Sequence, residues 1–290
     1  MEYKYDNILI PIDFSHKTDL LVEQGYYLAR LMNSSMTLLH VVNKGNGITY
    51  KDQKSFVSYS ESDEDAYTKI RRLANHYSKI YDHEVNYDVL AGNVFDQIVN
   101  YAKETSARLI VMGKSGKTSL LTNSIGKYAA QVVRNADCPV FTINSIIKSS
   151  FDKILLPLDL SKQIKDIISI AISFSRYYGS TMKLLTVIND TNFTEEKVFI
   201  EKMNRTRDFL FENNVACGTE TIYNFTGNLS VADRIIQYSI DTESDVIMLM
   251  TRQEKDWRDT FIGSTATNVI KNSLVPVISI SPNNNTKKNI

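Results

Sequence analysis

Short runs of consecutive apolar residues alternate along this chain with longer stretches whose apolar positions recur at helical spacing. The short runs fall at 7–11, 36–42, 85–90, 109–112 and 140–143, and they are rich in β-branched residues. A strand covered on one face alternates apolar and polar positions, whereas a strand covered on both faces reads as a continuous apolar run. These segments therefore predict buried strands. Between them, Leu20, Leu21, Gln24, Leu28 and Leu31 recur at helical spacing. So do Ile70, Leu73, Tyr77 and Ile80, then Ile98 with Tyr101 and Ala102, then Ala129, Val132 and Val133. Alternation of this kind predicts a parallel sheet with right-handed crossovers and helices on both faces.

The pattern occurs twice. Asp6-Asn7-Ile8-Leu9-Ile10-Pro11-Ile12-Asp13-Phe14-Ser15 returns as Asp152-Lys153-Ile154-Leu155-Leu156-Pro157-Leu158-Asp159-Leu160-Ser161. The register holds without a gap through one helix and one strand more. Further strand-like runs follow at 153–157, 182–188, 218–223, 246–250 and 277–280. Short-period repeats build solenoids, but a repeat of this length is a whole domain copied in tandem. The division expected is 1–147 and 148–290, and each half is long enough to bury its own core. The joint at 144–150 is too short for a loose tether, so the halves are expected to pack together, and 282–290 reads as a frayed tail. Residues 44–64, rich in Gly, Ser and Lys, read as a surface loop, with a lid over a nearby site as the functional alternative.

Composition narrows the function. The 33 basic residues balance 33 acidic ones, so nothing provides the basic footprint that nucleic acid or an anionic membrane requires. No apolar run approaches the ~20 residues that span a bilayer, and no basic-then-apolar leader precedes the first strand. The two cysteines, Cys138 and Cys217, lie on different elements, which suits a reducing compartment. Cytoplasmic location is the expectation.

In an open parallel sheet, ligands sit beyond the carboxyl ends of the strands, where the strand order reverses. Those ends carry Pro11-Ile12-Asp13, Val41-Val42 and Met112-Gly113. The last opens Gly113-Lys114-Ser115-Gly116, and Gly126 follows at the start of the next helix. Glycine lets backbone N–H groups approach an anion closely, and a helix N-terminus adds free donors and a favourable dipole. Lys114, Lys117 and Lys127 bring positive charge to this loop, and Asp13 is placed to accept hydrogen bonds from a base or sugar. Gly116-Lys117-Thr118 mimics the end of a P-loop, but position 111 is Val111 rather than the required glycine and the loop follows the fourth strand.

Ile10-Pro11-Ile12-Asp13-Phe14-Ser15, the strand Leu38-Leu39-His40-Val41, the spacing of Gly113, Gly116 and Gly126, and the helix ending Cys138-Pro139-Val140 together resemble the universal stress protein family. The similarity runs through both halves. It implies an α/β fold of two tandem doubly wound domains, each a five-stranded parallel sheet of order 3-2-1-4-5 with helices on both faces. It implies that some members bind adenine nucleotides, with Asp13 and Val41 facing adenosine and Gly113, Gly116 and Gly126 around the phosphates. It also implies that the last strands of the two halves meet across a pseudo-twofold axis, giving a pseudo-dimer within one chain. Further pairing of whole chains into a homodimer is left open. The family usually carries Ser or Thr after the third glycine, where this chain has Lys127, a point charge for phosphate.

The second copy keeps Asp159 and Val187 but aligns Met250 with Gly113 and Gln253 with Gly116; only Gly263, followed by Ser264, survives. Glu254, Asp256 and Asp259 add negative charge. This second site is expected to be degenerate. The expectation is an ATP-binding regulatory protein of the stress-response kind, with Mg accompanying the nucleotide, binding through the first domain and presenting a surface that protein partners read. The alternatives are a non-nucleotide interaction scaffold, with Trp257 as an anchor, and slow ATP hydrolysis. No nucleophile–base–acid set and no metal cluster is legible. His16 reads as solvated, and His40 as packed or hydrogen-bonded within its strand.

Overall fold

A computed structural model describes residues 7–43, 61–114, 126–143, 151–160, 164–188, 193–224, 228–251 and 262–281. The chain divides into two compact units, Met1–Phe141 and Thr142–Ile290, a boundary that falls inside the strand Val140–Ile143; that strand is described with the first unit.

The first unit runs β1 (Asn7–Pro11), α1 (Thr18–Leu31), β2 (Ser35–Val42), α2 (Glu61–Tyr81), β3 (Val85–Ala91), α3 (Val94–Glu104), β4 (Leu109–Gly113), α4 (Lys127–Asn135) and β5 (Val140–Ile143). Its strands lie in the order β3-β2-β1-β4-β5. β1 pairs in parallel with β2, Asn7 opposite Ser35, and with β4, Ile8 opposite Leu109. The continuous apolar runs are explained by burial on both sides: Ile8, Leu9, Ile10, Ile110 and Val111 are all fully buried. One face is covered by α1 and α2, where Tyr26 and Tyr81 stack with ring centroids 3.8 Å apart. The other is covered by α3 and α4.

The second unit repeats this plan with β6 (Lys153–Pro157), α5 (Lys165–Tyr178), β7 (Thr181–Ile188), α6 (Phe193–Glu212), β8 (Cys217–Tyr223), α7 (Val231–Asp241), β9 (Val246–Met250), α8 (Ser264–Asn272) and β10 (Val277–Ile280). Its order is β8-β7-β6-β9-β10, which is again 3-2-1-4-5 counted from the start of the unit.

Every residue of the predicted helix faces is buried or half-buried, with one exception. Ile70, Ala74 and Tyr77 face the core, but Ile80 is 57% exposed. At ~100° per residue it falls about 80° from the centre of that stripe, in the last turn of α2. No helix among the described residues is long and apolar enough to cross a membrane.

Candidate functional site

The carboxyl end of β1 continues the ladder past Pro11. The Ile12 N–H donates to the Leu39 carbonyl at 2.8 Å. Asp13 then turns the chain: its Oδ1 accepts from the Ser15 N–H at 3.0 Å, the local bond by which Asp initiates turns. Phe14 follows in the left-handed region, at φ 53°. The Thr18 N–H closes onto the Ser15 carbonyl at 2.9 Å and α1 begins. From the neighbouring strand β2, the His40 Nδ1 lies 2.9 Å from the Ile12 carbonyl. His40, inside β2, is thus hydrogen-bonded, and its partner lies just beyond the end of β1.

Beside it, Val41 is buried and the Val42 carbonyl accepts from the Gly92 N–H at 2.9 Å. Gly92 has φ +136°, and a Cβ there would stand 2.9 Å from the Gln97 Nε2. The backbone demands glycine, and any side chain would also have to displace the end of Gln97.

At the end of β4, Met112 is buried while Gly113 and Lys114 are half-buried. The Lys114 carbonyl accepts from the Gly126 N–H at 2.7 Å, so the two ends of the intervening loop are pinned together. Gly126 is the N-cap of α4, extended at φ −60° and ψ 142°, with no side-chain hydrogen bond to the helix end. The first helical bond after it runs from the Ala130 N–H to the Gly126 carbonyl. The N–H groups of Lys127, Tyr128 and Ala129 therefore precede the helical ladder, and a glycine cap brings no oxygen to meet them. This is the arrangement in which a helix start takes an anion.

Pro11, Asp13, Val41, Met112, Gly113, Lys114, Gly126 and Lys127 thus lie at the carboxyl ends of β1, β2 and β4 and at the start of α4. The strand order reverses between β1 and β4, the crevice where such sheets bind ligands. Gly116 and Lys117 lie outside the described residues, as do residues 44–60.

The second unit keeps three of these backbone hydrogen bonds and changes the side chains. The Leu158 N–H donates to Leu185 at 2.7 Å, the Asn224 N–H to Ile188 at 2.8 Å, and the Gly263 N–H to Thr251 at 2.9 Å. Gly263 caps α8 at φ −55° and ψ 144°, again without a side-chain bond. Asp159 and Ser264 are exposed, Val187 is half-buried, and Met250 is buried. Thr251, in the place of Lys114, is 1% exposed and directs its hydroxyl to the Ile280 carbonyl at 3.4 Å. Gln253, Glu254, Asp256, Trp257 and Asp259 lie outside the described residues.

Some contacts escaped the sequence. Lys202 on α6 donates to the Leu160 carbonyl at 2.7 Å, where the first unit has the buried Ile70 at the matching place on α2. Arg234 donates to the buried Asn224 Oδ1 at 3.1 Å; this pair stands where Gln97 and Gly92 meet. Aligned copies flag these differences, but only once the gaps between β2 and β3 and between β3 and α3 are placed. Away from the site, burial pushes the Asp88 carboxyl up, partly opposed by the Val89 N–H and the Tyr101 hydroxyl. Burial first, and then Glu220, push the Tyr238 phenol up to about 12.

The sequence profile of the universal stress protein family matches residues 4–144 and 150–280. The chain belongs to the universal stress protein family. Both halves are therefore universal stress domains. The chain is 27% identical over 146 residues to the universal stress protein MJ0531 of Methanocaldococcus jannaschii, covering 49% of this chain and 84% of that one. Over 96% of its length it shares the fold of a universal stress protein from Archaeoglobus fulgidus, at TM-score 0.71, 16% identity and 97% coverage of that chain. Another Archaeoglobus fulgidus universal stress protein, matched at TM-score 0.35 and 17% identity over 44% of this chain and 96% of its own, is known in complex with dAMP.

Proposed function

We propose that the first unit binds ATP and that the protein is a nucleotide-binding regulator of the universal stress type. The observation that carries this reading is the hydrogen bond from the Gly126 N–H to the Lys114 carbonyl at 2.7 Å. It sets the uncapped start of α4 beside Gly113, next to the strand end that bears Asp13. Backbone donors and the helix dipole favour the phosphates, and Lys114 and Lys127 add charge. The Asp13 carboxylate accepts from the ribose or the base; a carboxylate has about four acceptor sites, so its turn bond to Ser15 does not exhaust it. Mg enters with the nucleotide. It keeps several waters and binds phosphate oxygens rather than an all-protein cage, so it does not call for a three-carboxylate cluster, and none occurs among the described residues.

The second unit is proposed not to bind ATP. Where Gly113 bares the backbone it carries the Met250 side chain, and where Lys114 brings charge it carries the buried Thr251.

Calorimetry on the full chain tests both halves of the proposal. One ATP per chain is expected. Asp13→Ala should weaken binding by about tenfold or more, the loss of one or two hydrogen bonds to a charged group. Asp159→Ala should leave it unchanged. Two equivalents per chain, or a loss on Asp159→Ala instead, overturns the asymmetry. No binding at all favours the interaction-scaffold reading, for which the exposed Lys127 at a position the family usually gives to a hydroxyl is the supporting observation.

A further inference from the structure

The turn that carries Asp13 is held from outside itself. Phe14 adopts φ 53°, a left-handed conformation that bulky L-residues disfavour. Such a residue persists only where its surroundings over-determine it, and it points to function rather than to packing convenience. Beside the local bonds of the Ser15 N–H to Asp13 and of the Thr18 N–H to Ser15, one side chain from the neighbouring strand reaches both flanks of Asp13. The His40 Nδ1 lies 2.9 Å from the Ile12 carbonyl on one side of Asp13. The His40 ring packs on the Phe14 ring on the other side, at a centroid distance of 4.5 Å and 40° between planes. A carbonyl only accepts, so Nδ1 carries the proton in this contact. A single imidazole thus grips the residue before Asp13 by a hydrogen bond and the residue after it by a tilted ring contact.

The second unit lacks the grip. Thr186 stands in place of His40 and Leu160 in place of Phe14. Leu160 does not join Phe14 among the described residues with left-handed backbone. Its carbonyl is held instead by Lys202, at 2.7 Å, and Asp159 is exposed where Asp13 is half-buried. Left-handed backbone, imidazole and a half-buried Asp occur together in one unit and are lost together in the other.

We infer that His40 is a positioning residue for nucleotide binding: it fixes the left-handed turn at Phe14 and so aims the Asp13 carboxylate. The inference rests on the ATP reading of the first unit. His40 does not touch the ligand in this account. Its work is finished before the nucleotide arrives, so the cost of ordering the turn does not fall on binding.

The test compares His40→Leu, which fills the space without a donor, with His40→Asn, whose side-chain N–H replaces Nδ1–H. Both are made in the full chain, checked for intact melting, and titrated with ATP by calorimetry. His40→Leu should bind about tenfold more weakly, the loss of one buried hydrogen bond. His40→Asn should recover to within about threefold of wild type. Wild-type affinity in His40→Leu, or equal losses in both variants, overturns the inference. Should His40→Leu not fold, a tenfold loss in folded His40→Asn overturns it. A crystal structure of the nucleotide-free variant separates this inference from the reading beneath it. If wild type binds no ATP, that reading falls. If His40→Leu keeps φ near 53° at Phe14 and the Asp13–Ser15 hydrogen bond, the positioning role falls whatever wild type binds.

Discussion

The loop closures after β4 and β9 share a backbone and differ in chemistry. Gly126 donates to Lys114 in one and Gly263 to Thr251 in the other, at 2.7 and 2.9 Å, and both glycines cap a nine-residue helix with nearly the same dihedrals. Gly113 and Lys114 precede the first closure, Met250 and the buried Thr251 the second. The scaffold of such a site therefore survives apart from the groups that give it an anion preference. The closure belongs to the fold, since it starts the last helix. The bare backbone and the charge do not belong to the fold and are where the two copies have diverged.

The sharpest way to break this comparison is to move a residue across it. Gly113→Met copies the second unit's residue into the first, and Met250 demonstrates that the fold accepts methionine at the equivalent place. Thermal stability should change little, while ATP affinity falls by about a hundredfold, the upper range for overfilling a packed site. The reverse change, Met250→Gly, should create no ATP site, because Thr251 and the Lys202–Leu160 contact remain. Calorimetry on both variants reads the outcome. Unchanged ATP affinity in Gly113→Met would show that the glycine is not what distinguishes the units.

A second exchange concerns the core. Gly25 on α1 lets the helix approach β1; a Cβ there would run into the Ile10 Cδ1 and stand 2.9 Å from its Cγ1. The second unit has Ala171 and Leu156 at the matching positions, both fully buried. Gly25→Ala should destabilise the chain by about 2 kcal/mol, as overpacking does. Adding Ile10→Leu, the second unit's own solution, should recover about half of that. Urea unfolding measures both.

How much of this was readable in advance follows from the range of each interaction. Strand bounds came out within a residue at each end; in the central strands burial on both faces writes itself into consecutive apolar positions, whereas the half-buried edge strands β3 and β8 carry polar residues as well. The strand order came with the family resemblance rather than with the periodicity. Ile80 was misplaced, because a stripe fades at a helix end where the core curves away. Asp13, Gly113 and Gly126 could be picked out because a turn, a bare backbone and a helix cap each have a local residue signature. The grip of His40 on Ile12 and of Lys202 on Leu160 could not. Each joins residues 28 and 42 positions apart, and neither residue type announces its partner. The domain division expected at 147 and the second-site role of Gln253 stand as proposals.

The cysteines extend the comparison to reactivity. Burial, with Asp137 adding to it, pushes the Cys138 thiol up to about 12. Cys217 is raised chiefly by burial, against which Arg207 acts, and it is half-buried. A thiol reagent at pH 8 should modify Cys217 at least about tenfold faster, since the thiolate is the reactive form and access limits the other. Peptide mass mapping over time decides it. Cys138 also tilts the pH dependence of stability. The unfolded thiol ionises from about 9 while the native one holds its proton to about 12. The unfolded state thus binds fewer protons in that window, and stability falls as pH rises through it. Cys138→Ala should flatten that fall.

The smallest expected effect separates the units at equivalent helix caps. Asn93 caps α3 by accepting from the Phe95 N–H at 3.2 Å. Its counterpart Ser230 caps α7 by accepting from the Asp233 N–H at 3.2 Å, and Asp233 returns a bond to the Ser230 N–H at 3.0 Å. The second cap is a reciprocal box and the first is a single bond. Asn93→Ala and Ser230→Ala should each cost about 1 kcal/mol. The box adds a pH signature that the single bond lacks. The Ser230 hydroxyl and N–H hold the Asp233 carboxyl below the ordinary carboxylate range. Its contribution is present above the unfolded carboxylate pKa and lost as pH falls through the native one. The Ser230→Ala penalty should therefore shrink between about pH 4 and pH 2, where a carboxyl that has taken up its proton no longer closes the box, while the Asn93→Ala penalty stays level. Chemical denaturation of both variants across that range measures the difference. Parallel pH profiles would mean that the reciprocal bond adds nothing to the cap.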